Sequence, residues 1–246
     1  MASVKSVHNP MVSSSTLSKT DGDPLADPTE YRSLAGALQY VVLTRPDTDY
    51  AVNRIFQFMH SPTPTHMTAL KRILRYLCGT LDFGIIFRPS ACLSLGLDFD
   101  DRRLTSGYCV YFGETPVSWG SKKQQVVSRS TAEVEYRSLA ATTSEMTWLI
   151  SLLCELQITS VDTPTIWCDS SSAVAVAANP VLYSKFKHVE LDLFFVHENV
   201  VDGSLLVGEV PASNQVADIL TKPLSVMHFT RFRNLLRVMS AEKMGA

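Results

Sequence analysis

Four acids stand where the carboxylates of one site could be brought together: Asp98, Glu135, Asp169 and Asp218. The pattern puts Asp98 at the end of a candidate strand and Glu135 in the first turn of a long helix. It puts Asp169 at the end of a short buried strand, just ahead of a helix, and Asp218 in a short helix late in the chain. Strand ends and helix starts collect at one edge of a mixed sheet, where ligands tend to sit. Four carboxylates with little basic compensation repel one another, and divalent cations are the natural remedy. Mg²⁺ prefers oxygen ligands and is often shared with a substrate phosphate. Two such ions about 4 Å apart would activate a water and stabilise the leaving oxygen in phosphodiester cleavage. Each acid also has a plainer role open to it. Glu135 can be a wet acid at a helix end that complements the dipole, Asp169 a helix cap, and Asp218 a surface acid.

The element that must position Glu135 is the stretch from Val126 to Ile158, which the spacing predicts to be one helix. Ser130 or Thr131 can cap it, with Glu133 or Glu135 placed to complete a capping box. Behind the cap runs a stripe at alternating spacings of four and three: Glu135, Leu139, Thr142, Met146, Leu149, Leu153. That is one face of a helix, and it is mostly apolar. Glu133 lies on a more polar line with Arg137, Ala140 and Ser144. Glu133 therefore reads as solvated, and Glu135 as pointing along the packing face, where a charge is costly without a partner.

Around that helix the period changes twice. Residues 1–28 are rich in Ser, Thr, Asp and Pro and read as an extended or disordered lead. Residues 29–82 read as a small helical segment. A first helix there carries Leu34, Ala37, Leu38, Val41 and Val42 on one side. A second is capped by Asp47 and carries Ala51, Ile55, Phe58 and Met59. A third is capped by Thr65, with Leu70, Ile73, Leu74 and Leu77 inward and Lys71, Arg72 and Arg75 outward. Residues 83–222 alternate differently. Phe83–Phe87, Leu93–Phe99, Thr105–Phe112 and Pro116–Lys122 read as strands, the last two joined at Gly113-Glu114-Thr115 as a hairpin. After the long helix come a strand Thr165–Asp169, a helix from Ser171 to about Ala178, a helix Lys187–Val201, a strand Leu205–Val210 and a helix Asn214–Thr221. Residues 223–246 read as a basic C-terminal helix and tail with Arg231, Arg233 and Arg237. The fold class is α/β, a mixed sheet with helices packed on it, preceded by the helical segment.

Composition narrows the class further. The chain has 246 residues, 46% hydrophobic and 19% charged, with a formal net charge of −2. No global basic surplus marks it as a nucleic-acid binder, so any such role rests on local basic faces. The five cysteines show no C-x-x-C pair, which argues for reduced thiols, an intracellular location and no zinc site. No apolar run approaches the roughly 20 residues that span a bilayer. The first 20 residues are Ser-rich and free of acids, but their lack of Arg argues against organelle targeting. There is no Gly-rich phosphate loop, H-E-x-x-H or G-x-S-x-G.

Several long runs carry a family resemblance. S-K-K-Q-Q-V-V-S-R-S-T-A-E-V-E-Y-R-S-L-A from Ser121, W-C-D-S-S-S-A-V-A from Trp167, K-H-V-E-L-D-L-F-F-V-H-E from Lys187 and Q-V-A-D-I-L-T-K-P-L from Gln215 closely resemble the ribonuclease H domain of copia-type retrotransposon polyproteins. Upstream, Y-R-S-L-A-G-A-L-Q-Y from Tyr31, T-R-P-D-T-D-Y-A-V from Thr44 and A-L-K-R-I-L-R-Y-L from Ala69 resemble the segment joining that family's reverse transcriptase to its ribonuclease H. The resemblance implies the ribonuclease H fold and metal-dependent cleavage of RNA in an RNA/DNA hybrid, with two Mg²⁺ ions. It maps the family's metal-binding acids onto Glu135, rather than Glu133, and onto Asp169 and Asp218. It also implies a reverse transcriptase as partner.

The sequence departs from the family in two places. The polymerase palm and its paired aspartates are absent, so polymerase activity is not expected. The first acidic motif, a serine-aspartate-alanine-aspartate-tryptophan strand and its loop, is shortened: Leu97-Asp98-Phe99 runs almost directly into Asp100-Asp101-Arg102-Arg103. Asp98 is the best candidate for the lost ligand, and Asp100 is the alternative. A one-residue shift along a strand would turn the carboxylate to the wrong face. Two functions therefore stand side by side: an active hydrolase, and a catalytically impaired descendant that at most binds nucleic acid. An A-form hybrid is recognised by shape and backbone, and the candidate phosphate contacts are Lys122, Lys123, Arg129, Lys185 and Lys187. His188 is a candidate for proton transfer or product release. Leu34, Val41, Ile55 and Phe58 would expose apolar surface if the helical segment needs the polymerase to cover it.

Overall fold

A computed structural model of the chain describes residues 5–13, 17–18, 22–88, 95–102, 105–123, 131–158, 162–179 and 190–240, with the backbone alone for 97–102, 105, 122–123, 131–138 and 190. The chain divides into two compact units, Met1–Phe87 with Lys222–Ala246, and Arg88–Thr221.

The first unit opens with three helices, α1 (Thr29–Val42), α2 (Asp49–Phe56) and α3 (Pro64–Cys78), and a short strand β1 (Phe83–Ile85). Tyr31, Ala35 and Leu38 of α1 pack with Ala51, Val52 and Ile55 of α2 and Leu70 and Ile73 of α3. The Tyr31 hydroxyl donates to the Ile55 carbonyl at 2.7 Å. Met11 and Leu17 of the lead are buried in this core. Ile55 and Phe58 are buried and Leu34 and Val41 partly buried; Ala37, on the same side as Leu34 and Leu38 in the sequence reading, is exposed.

Two caps fall elsewhere than the sequence suggests. Pro64 occupies the first helical position of α3, where its missing N–H costs nothing, so the cap is Thr63 and not Thr65; His66 completes the box, accepting from the Thr63 amide at 3.0 Å. Asp47 does not cap α2. It lies in a 3₁₀ turn, Pro46–Thr48, and accepts two hydrogen bonds from the Arg45 guanidinium at 3.0 and 2.9 Å and one from the Tyr76 hydroxyl. Arg45 also donates to the carbonyl and hydroxyl of Thr80, at 2.9 Å each. A buried ion pair is tolerated when its remaining donors are satisfied in this way.

The second unit holds β2 (Leu95–Arg102), β3 (Thr105–Phe112), β4 (Thr115–Lys123), α4 (Thr131–Glu155), β5 (Thr165–Cys168), α5 (Ser171–Ala178), α6 (Glu190–Val201), β6 (Leu206–Glu209), a 3₁₀ turn Ala212–Asn214 and a one-turn helix α7 (Asp218–Thr221). The sheet order is β4-β3-β2-β5-β6. The first three strands form an antiparallel meander, while β2–β5 and β5–β6 are parallel. Counted within the unit this is order 3-2-1-4-5, the ribonuclease H-like mixed sheet.

Side chains alternate across this sheet. Leu95, Val110, Ile166 and Cys168 face a core with Leu139, Ala140 and Met146 of α4, Ala173, Val176 and Ala177 of α5, and Leu193 and Val196 of α6. Thr142 is buried, and Leu149 and Leu153 pack against this core, so every described member of the α4 stripe is covered. The other face carries Gly107, where α7 comes so close that a Cβ would lie 2.6 Å from the Thr221 methyl.

The chain then returns to the first unit as α8 (Val226–Leu235) and β7 (Val238–Ser240). β7 pairs antiparallel with β1, Phe83 opposite Ser240 and Ile85 opposite Val238. The strand near Phe83 thus belongs to a separate two-stranded sheet, because its hydrogen-bond partner lies at the other end of the chain. The basic C-terminal piece is docked as well: Phe232 is buried, and the Arg233 guanidinium lies 4.6 Å over the Phe83 ring.

Candidate active site

Asp98 is the fourth of the eight residues of β2, not its end as expected, because pairing with β3 continues through Arg102, opposite Thr105. Its row runs across the sheet, with Cys109 on β3 and Trp167 on β5 directly opposite. The β2–β5 ladder ends at Phe99 opposite Cys168, so Asp100 and Asp169 are each the first residue beyond its last pair. On the other side Asp100 pairs with Gly107, the residue over which α7 lies.

Asp169 is half-buried and follows β5 directly; it is not the helix cap that the sequence left open. That role belongs to Ser170, whose hydroxyl accepts from the Ala173 amide at 3.3 Å. Asp218 is the first residue of α7 and is 4% exposed, so it is no surface acid. Apolar neighbours hold it there: Ala217, Ile219 and Leu220 are all buried. α7 packs on β2, β3 and β4. Glu135 is the fifth residue of α4, and α4 packs on β2. Both helices that carry candidate acids therefore lean on the strand that carries Asp98 and Asp100.

The donors available are all carboxylate oxygens, which suits Mg²⁺ and not a thiolate or imidazole metal. Among the described residues, no group of three or more His, Cys, Asp or Glu side chains comes together. Asp98, Asp100 and Glu135 are placed by backbone alone, through the register of β2 and the packing of α4. None of Cys78, Cys109, Cys154 and Cys168 forms a disulfide. Lys122 and Lys123 end β4, opposite Ser106 and Thr105. Arg129, Lys185, Lys187 and His188 lie outside the described residues. Among those described, no helix is long and apolar enough to cross a membrane.

Sequence reasoning missed Trp167. T-I-W-C-D reads as a wholly buried strand, but only Ile166 and Cys168 are buried, and the Trp167 side chain is 44% exposed. Period-two alternation was the signal available: the residue between two core positions must face the other way.

No protein-family model matches the chain. It is similar to the Pol polyproteins of transposons RE1 and RE2 of Arabidopsis thaliana, 48% identical to each over 246 residues and 97% of this chain. The chain spans 17% of the length of these curated relatives. Among solved structures it is similar to the N-terminal RNase H domain of a Mycobacterium tuberculosis protein, solved as a fusion with maltose binding protein. That likeness covers 58% of this chain and 97% of the other, at 16% identity and a TM-score of 0.34.

Proposed function

Because the chain belongs to the family of copia-type retrotransposon Pol polyproteins, we propose that its ribonuclease H-like unit is a metal-dependent nuclease for the RNA strand of RNA/DNA hybrids. One observation carries the reading. Asp100 and Asp169 each follow the last pair of the β2–β5 ladder, Phe99 opposite Cys168; Asp100 pairs with Gly107, and α7, which begins at the buried Asp218, lies over Gly107. Asp169, Asp218 and Glu135 would hold the metal together with one acid of β2. Asp98 and Asp100 both belong to the alternate set of that strand, and Asp100 is the one that, like Asp169, follows the last β2–β5 pair.

Mg²⁺ bound there would supply Lewis acidity to the scissile phosphate and lower the pKa of a bound water. The protein's part is to hold the carboxylates at fixed spacing and to grip the backbone. Lys122, Lys123, Arg129, Lys185 and Lys187 contact phosphates, and His188 takes part in proton transfer. A hybrid is recognised by its wide minor groove and 2′-hydroxyls. The reverse-transcriptase part of a polyprotein is the protein partner.

A second reading has its own support. β2 pairs with β3 without interruption from Leu95 to Arg102, where the family carries a longer strand and loop. A ligand displaced by that shortening leaves the fold intact and the chemistry impaired, because two-metal hydrolysis needs both ions positioned. The test is cleavage of a hybrid labelled on either strand, in Mg²⁺, by the chain and by a variant with the missing strand residues inserted ahead of Asp100. Cleavage of the RNA strand by the parent supports the active reading, and cleavage only after insertion supports the impaired one. A folded chain inert in both forms refutes the active reading and rules out the shortening as the cause of the impairment.

A further inference from the structure

We propose that Trp167 is a substrate-contacting residue, an indole platform against which the sugar of a nucleotide next to the scissile phosphate packs. The proposal rests on the nuclease reading above and adds to it the residue that positions the strand. Trp167 belongs to the row of Asp98, one strand away, at a strand spacing of about 4.8 Å. It precedes Asp169 by two residues, about 7 Å along the chain. A polynucleotide held at Asp169 therefore has a neighbouring nucleotide within reach of the indole.

Three features make the site a built one. Cys168, between Trp167 and Asp169, is buried in the core, so Trp167 stands on the opposite face, the one that carries Gly107 and α7. α7 covers that face over β2, β3 and β4, whereas Trp167 on β5 is 44% exposed and Leu206, opposite Thr165 on β6, is 50% exposed. Third, the indole is held in place from below. Gly208 is directly opposite Trp167 on β6, and a Cβ there would lie 2.7 Å from Cζ3 and 2.9 Å from Cε3 of the ring. Glycine leaves room for the ring to lie on the β6 backbone. A flat, rigid, half-exposed aromatic beside acids that recruit metal suits a sugar–phosphate strand, since nucleic-acid sites combine aromatic platforms with charge-directed backbone contacts.

The test is anisotropy titration of a labelled RNA/DNA hybrid with the full chain in Ca²⁺, comparing parent, Trp167→Ala, Trp167→Phe, Gly208→Ala and Trp148→Ala. Trp148 is 58% exposed on α4 and serves as the control for loss of a surface indole. The expected result is a fivefold or greater loss of affinity in Trp167→Ala, a smaller loss in Gly208→Ala, near-parent affinity in Trp167→Phe, and no change in Trp148→Ala. Parent-like affinity in Trp167→Ala, with the parent binding well, overturns this proposal and leaves the nuclease reading standing. A parent chain that is folded by its melt yet binds no hybrid overturns both.

Discussion

Replacing Gly107 by Ala should loosen the whole candidate centre through one methyl group. The added Cβ would stand 2.6 Å from the Thr221 methyl, 3.0 Å from Leu220 Cβ and 3.3 Å from the Ala217 carbonyl oxygen. Carbon contacts are optimal near 3.5–4.0 Å, so the first gap is short by about 1 Å. Two of the three neighbours are backbone or next to it, and rotating one side chain cannot relieve them. α7 must move off β3, and Asp218, its first residue, moves with it. Overpacking of this kind costs about 1–3 kcal/mol. With a urea slope of about 2 kcal/mol/M, a 2 kcal/mol loss lowers the midpoint by about 1 M. The assay is urea unfolding followed by circular dichroism for Gly107→Ala, Thr221→Ser and the double variant. Thr221→Ser removes the methyl that makes the closest clash, so the double variant should recover part of the loss and show a non-additive coupling. A Gly107→Ala midpoint within about 0.2 M of the parent would refute the reasoning, as would strict additivity in the double variant.

Two further predictions concern the helical unit. Asp47→Asn keeps the shape but leaves the Arg45 guanidinium, 6% exposed, without its buried counter-charge; removing one partner of such a pair costs about 3–5 kcal/mol, and an unchanged melt would show that Thr80 alone satisfies Arg45. Burial raises the Asp49 carboxyl from 3.8 to about 7. The folded state then binds its proton more tightly than the unfolded state, so the contribution of this group to stability is fully present below about pH 4 and is lost as pH rises through 7, by an amount on the order of a few kcal/mol. Asp49→Asn should flatten that slope in melts across the window, and an identical pH profile in parent and variant would contradict it.

Much of the fold was legible because periodicity reports burial directly. The stripe from Leu139 through Leu153 is covered as its spacing requires, and the alternation of β3 separates Cys109 from Val110 onto opposite faces. What escaped depends on contacts distant in sequence. Nothing near Phe83 signals that it pairs with Ser240. Nothing around Asp47 signals that it will choose Arg45 and Tyr76 over a helix amide. At the site, Asp169 was found at a strand end and Asp218 within a short helix, but their relation to β2 needed the ladder and the packing of α7. The ladder puts Asp98 opposite Trp167 and ends at Phe99 opposite Cys168, one residue short of Asp100 and of Asp169. The Trp167 platform needed both the alternation of β5 and the glycine opposite it on β6.

The convergence of the acids is tested most directly by thermal melts of the parent, Asp169→Asn and Asp218→Asn across a Mg²⁺ titration. A ligand that binds only the folded state raises stability by RT ln(1 + [L]/Kd), about 1.4 kcal/mol at tenfold excess over Kd. If the acids form one metal centre, the parent melting temperature climbs with Mg²⁺ by a few degrees, and both variants lose most of that climb. A parent insensitive to Mg²⁺, or a variant that responds as the parent does, would mean that these carboxylates do not share an ion.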